Sequence, residues 1–139
     1  TVGGSLATDF HEPIELTGTV VTLTDGRFTS LYPPSPVDLG TAAVVRVGTH
    51  LHVVIVERPA SQLDYQLYNR VGLDPREAHI VVTKSAGGYR AFFEPIAREC
   101  IDVDTRGPSD SRLERMPFQR VDRPLWPLDP DLDWRPETH

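Results

Sequence analysis

A single cysteine, Cys100, a single methionine and a single lysine, Lys84, stand in this chain of 139 residues. One cysteine excludes an intramolecular disulfide and fits a reducing, cytoplasmic setting. No apolar run nears the eighteen or so residues that a membrane-spanning helix needs, and no basic segment precedes an apolar stretch as in a secretory leader. The expectation is a protein with no membrane partner. Positive charge is not in excess either: fourteen Lys and Arg against twenty Asp and Glu leave a formal net charge of −6, which speaks against nucleic acid as a partner. No His-Glu-x-x-His, Gly-x-Ser-x-Gly or P-loop sequence occurs. His11, His50, His52, His79 and His139 are not clustered with carboxylates at a ligand spacing, and only His11 has acidic neighbours, Asp9 and Glu12. No metal ligand or catalytic residue is therefore assigned. Cys100 lies between Glu99 and Ile101 in an apolar stretch and reads as an inert core thiol rather than a nucleophile.

What is there suits one domain with one core. Residues 1–12 show no period and read as a lead-in from an upstream domain. From Ile14 to Leu23 apolar residues alternate with threonine, as a half-buried strand requires. Asp25-Gly26 then predicts a two-residue hairpin to a return strand over Arg27 to Tyr32. Pro33-Pro34-Ser35-Pro36 reads as a loop or edge crossing, because proline cannot donate to a ladder. The β-branched runs Thr41 to Val47 and Leu51 to Val56 predict a second hairpin around Gly48-Thr49-His50. Ser61 predicts a helix cap with Asp64 in the first turn, Leu63, Leu67 and Val71 on one face and Gly72 as the left-handed exit. Asp74-Pro75 starts a turn before a strand over Ile80 to Thr83, and a final strand follows at Cys100 to Asp104.

The fold class expected is α+β: a mixed sheet or barrel-like set of antiparallel hairpins, a βαβ-type segment, and an extended Pro-rich C-terminal arm. The domain would span 13–104. An arm over 105–129, with Leu113, Met116, Phe118, Leu125 and Trp126 among its apolar residues, would be docked on it, since disordered tails rarely carry such groups. An acidic tail would follow at 130–139.

The corner at Lys84 is the candidate site. Ser85 reads as the N-cap of a helix whose stripe is Tyr89, Phe92, Phe93 and Ile96, with Pro95 limiting its length. Gly87 and Gly88 would sit in the first turn, at a propensity cost of up to about 1 kcal/mol each. In return they would leave free N–H groups open to an anion. A carboxylate or phosphate docking at Lys84, Ser85, Gly87, Gly88 and Tyr89 is one reading. The other is plain: Ser85 caps, the glycines allow close packing, and Lys84 points to solvent.

Several segments in a shared order carry a resemblance: Thr24-Asp25-Gly26-Arg27-Phe28, Asp38-Leu39-Gly40, Val71-Gly72-Leu73-Asp74-Pro75, Lys84-Ser85, Arg90-Ala91-Phe92, Pro95-Ile96-Ala97 and Arg123-Pro124-Leu125-Trp126-Pro127-Leu128-Asp129. Together they resemble the C-terminal domain of the MlrC (microcystinase C) family of bacterial zinc metallopeptidases, from about Gly3 to Asp129. The resemblance implies an accessory domain of a zinc-dependent peptidase or amidohydrolase acting on small or linearised peptides. It would shape the cleft or an interface, with the zinc ligands in an upstream catalytic domain and none in this chain, which alone would be inactive. The implied partners are that upstream domain and a small peptide substrate, and the resemblance admits a homo-oligomer. Family members usually open the helix with His-Phe where Gly88-Tyr89 stand here, so no role for that imidazole carries over. The alternative is a self-standing binding or interaction module with an anion-binding corner at Lys84-Ser85.

Overall fold

The computed structural model describes residues 1–3, 8, 11–59, 64–85, 87–105 and 112–133. Five strands form in order: β1 Thr19–Thr24, β2 Arg27–Leu31, β3 Pro34–Asp38, β4 Ala42–Val47 and β5 Leu51–Val56. The helix α1 follows at Gln66–Arg70, a 3-10 turn at Pro75–Glu77, the one-turn helix α2 at Arg90–Phe93, and a second 3-10 turn at Leu113–Arg115. The strands pair antiparallel in two sheets, of order β1-β4-β5 and β2-β3. The architecture is α+β with β structure dominant. The chain divides into two compact units, residues 15–103 and residues 1–14 with 104–139.

In the larger unit the β4–β5 hairpin forms as the β-branched runs predict, with Val47 opposite Leu51 across the three-residue turn. Ala42 and Val44 of β4 lie fully buried against Leu39, Leu67 and Val71, with Phe28, Val37, Val54, Val56 and Leu73 packed around them. Helix α1 places Leu67 in this core and ends in a Schellman turn. Gly72 takes φ +81° while the N–H of Leu73 reaches the Tyr68 carbonyl at 2.9 Å and that of Gly72 reaches Asn69 at 3.1 Å. Phe93 of α2 is buried, edge-on to the rings of Tyr65 and Tyr68, with centroids 6.2 Å away in each case.

Other expectations give way to tertiary contacts. β1 pairs with β4, not with β2. A type I′ turn needs positive φ at both central residues. Gly26 has φ +60°, but among the described residues no non-glycine has positive φ. The Asp25 carboxylate instead accepts the Arg27 N–H at 3.1 Å and pairs with Arg70, so the chain turns out of one sheet and into the other. Of the proline run, Pro33 lies in a turn, while Pro34, Ser35 and Pro36 belong to a strand, β3, paired with β2. Pro34 and Pro36, two residues apart, share one side of it, and a two-stranded sheet tolerates missing donors on the side away from the partner. Helix α1 begins at Gln66, so Asp64 precedes it rather than lying in its first turn, while Ser61 and Leu63 fall outside the described residues.

The flanking strands of the βαβ-type segment do not form. Residues 80–83 and 100–104 have no ladder partner among the described residues, and Ile80, Val82, Ile101 and Val103 are exposed. β-branched composition favours a strand only where another strand accepts its backbone groups; the Val82 carbonyl is taken by the Tyr68 hydroxyl at 3.2 Å. Helix α2 starts at Arg90, not at Ser85, which places both glycines in the loop before it.

In the smaller unit Val2 and Ile14 form an antiparallel bridge, with N–H···O distances of 2.8 and 2.9 Å. Asp104 pairs with Arg112 and Arg115. The segment Arg123–Asp129 closes on itself: Asp129 accepts both Nε and Nη2 of Arg123 at 2.6 Å and the Leu125 N–H at 2.7 Å. Leu125 and Trp126, inside that loop, are exposed.

Candidate functional site

Lys84 and Ser85 end the irregular segment 80–85, and Gly87 and Gly88 lead into α2. The Lys84 side chain is exposed and has no acidic partner among the described residues. Ser85 is half-buried; Gly87 and Gly88 are exposed, and the Gly87 carbonyl accepts the Arg90 N–H at 3.1 Å. Lys84 and Ser85 thus lie on one side of residue 86, and Gly87, Gly88 and Tyr89 on the other, next to a single helical turn.

Tyr89 anchors that turn. Its hydroxyl donates to the Asp102 carboxylate at 2.5 Å, and the Arg90 guanidinium lies 5.3 Å from its ring centroid. Arg90 in turn bridges Asp102 and Glu94, the latter at 2.5 Å. Each charge perturbs the next. The hydrogen bond to Asp102, with burial, raises the Tyr89 pKa. The same bond, with Arg90, lowers that of Asp102, and Glu94 and Asp102 raise that of Arg90. Tyr89 therefore holds its proton more firmly than a free phenol does, which keeps its hydrogen bond to Asp102 in place.

In the sequence Asp64 reads only as an acid in the first turn of a helix capped by Ser61. It is 5% exposed. Its carboxylate joins two elements: Oδ2 accepts the Leu31 N–H of β2 at 2.7 Å and Oδ1 accepts the Gln66 N–H of α1 at 2.8 Å. It lines a cavity of about 220 Å³ with Phe28, Ser30, Tyr32, Ser35 and Leu67. Asp38 does similar work at the surface, accepting the Gly40 N–H at 2.9 Å and pairing with Arg27 at 3.2 Å and Arg58 at 2.9 Å. A local signal existed for Asp38, since Asp-x-Gly marks a carboxylate folded onto its own backbone. The Leu31 contact of Asp64 spans 33 residues, and nothing local marks it.

Among the described residues no three His, Cys, Asp or Glu side chains converge as a metal ion requires, so these residues do not fit a zinc ion. No helix among them is long and apolar enough to cross a membrane.

A family described as MlrC C-terminus matches residues 1–120 of the chain, which takes in the core, Asp64, the Lys84 loop and the Tyr89 network. The closed loop at Arg123–Asp129 lies just beyond the match. No curated protein and no solved structure matches.

Proposed function

The chain belongs to the MlrC C-terminal family, and from that membership we propose that it serves as an accessory C-terminal domain of a zinc-dependent peptidase or amidohydrolase that acts on small or linearised peptides. The observation that carries this reading is the family match over residues 1–120. In it the metal belongs to a preceding catalytic domain, and this domain shapes the cleft or an interface. Lys84 is the proposed contact to a substrate carboxylate, supported by its exposed ammonium without an acidic partner among the described residues. Ser85, Gly87 and Gly88 would present the loop backbone, with Tyr89 holding that loop through Asp102.

The test compares three proteins on small linear peptides: the parent polypeptide, the parent lacking this domain, and this chain alone. The parent is expected to cleave, the deletion to lower kcat/KM, and the chain alone to be inactive. Hydrolysis by the chain alone, with stoichiometric zinc after dialysis, defeats the accessory reading. So does a deletion with unchanged kcat/KM. Within the parent, Lys84→Ala is expected to lower kcat/KM about tenfold, the loss of one charge-assisted hydrogen bond, with unfolding unchanged. Parental kinetics in that variant would remove Lys84 from the site.

A further inference from the structure

The β1-β4-β5 sheet has a second face. Its register places Ala42, Val44, Val54 and Val56 on the core side. On the opposite side stand Val20 and Leu23 of β1, the three alternate residues from Ala43 to Val47 on β4, and Leu51, Val53 and Ile55 of β5. Every one of these outward positions is apolar, and the charged side chain of Arg46 lies on the other face, opposite His52. β1 even reverses the usual pattern, turning Thr22 and Thr24 toward the core side and Val20 and Leu23 away from it. An antiparallel sheet that meets water on one side reads apolar in and polar out; near-continuous apolar strands belong to sheets covered on both faces. Along β1 and β5 the outer face is open, with Val20 59% exposed, Leu23 70%, Leu51 53% and Ile55 41%, while Ala43, Val45, Val47 and Val53 are half-buried among them.

Its size selects what covers it. Three six-residue strands at about 3.3 Å per residue and about 4.8 Å spacing cover a flat footprint of roughly 300 Å², and side-chain relief raises the accessible area above that without reaching the size of a free dimer interface. A freely associating second copy needs about 800 Å² on each partner, which this face does not supply. Domains of one polypeptide need only about 600 Å² in total, or roughly 300 Å² from each side, because the linkage holds them at a high effective concentration. An uncharged face also calls for an uncharged partner surface, since a buried charge without a counter-ion is costly.

We infer that the outer face of the β1-β4-β5 sheet seats against an apolar surface of the domain that precedes this one in the parent polypeptide. This rests on the accessory-domain reading and adds to it the surface by which the two domains join. Cysteine labelling of the parent tests it, with Cys100→Ser as background and Leu23→Cys, Ile55→Cys and the exposed control Glu77→Cys as single probes. Maleimide is expected to label positions 23 and 55 at least tenfold more slowly than position 77. Cutting a protease site inserted before Thr1, and separating the domains, is expected to restore fast labelling. Equal rates at all three positions in a parent that cleaves peptides would overturn the interface and leave the function standing. Slow labelling in a parent that cleaves no peptide would keep the interface and overturn the function. Protection that survives the cut, or that appears only as protein concentration rises, would show a different occupant and overturn the inference.

Discussion

Replacing Asp64 should destabilise the larger unit more than any exposed carboxylate does. The side chain is 5% exposed, and its two oxygens hold backbone donors from different elements, Leu31 at 2.7 Å and Gln66 at 2.8 Å. Alanine leaves both N–H groups without their acceptor beside a partly apolar cavity. At about 1.5–3 kcal/mol for a hydrogen bond to a charged group, the two together place the cost near 3 kcal/mol or above. For a unit of this size each kcal/mol moves Tm by about 4–8 °C, so Asp64→Ala should melt at least roughly 12 °C lower. Asp64→Asn separates acceptor from charge. Its amide oxygen satisfies one donor while its NH₂ faces the other, so about half of the loss should return. Thermal and urea unfolding followed by circular dichroism reads both variants. An alanine variant within about 0.5 kcal/mol of the parent chain would mean that water replaces the carboxylate, and the link between β2 and α1 would not be structural.

Asp129, held down by the Arg123 fork and the Leu125 N–H, has its pKa lowered from 3.8 to about 2. A carboxyl depressed by folding contributes fully above its usual value and loses that contribution as pH falls through the folded one. The 123–129 loop should therefore open between pH 3.8 and about 2. Carboxyl-carbon NMR should show the low midpoint, and Arg123→Gln should raise it; an unmoved midpoint would contradict the pairing. Gly26→Ala should cost about 2 kcal/mol or more in chemical unfolding, since it forces alanine to positive φ and sets its Cβ 2.5 Å from the Gly40 carbonyl oxygen. A neutral substitution there would show that the corner rearranges freely. Asp102→Asn should bring the raised Tyr89 pKa back toward 10.0 in a spectrophotometric titration, and an unchanged curve would argue against that hydrogen bond.

The legible parts of the fold were those decided by neighbours in sequence. β4 and β5 are β-branched runs joined by a short glycine turn, and each supplies the other's ladder. Gly72 ends α1 because the residues that bond around it lie within five positions. Asp25-Gly26 misleads for the opposite reason. A local hairpin signal is overridden by Arg70, 45 residues away, which holds the Asp25 carboxylate. Residues 80–83 and 100–104 have strand composition and no ladder partner among the described residues, and composition cannot report whether a partner exists. At the candidate site the loop from Lys84 to Tyr89 was visible as a cluster of unusual residues. The anchoring of Tyr89 by Asp102 was not, because it joins residues 13 apart across α2.

The pairing of β1 slips by one residue between Val20 and Thr22, and Val21 is the surplus position. On either side of it the strand keeps its facing, with Val20 opposite Val45 and Thr22 opposite Val44. A chain lacking Val21 would thread the same ladder without turning any other side chain over. Most strand positions forbid a change of length, since losing one residue exchanges the two faces of everything beyond it. This rim can lose its surplus residue without touching the core, so one-residue deletions among related sequences should collect here, where they alter the bend of the strand and leave its chemistry alone.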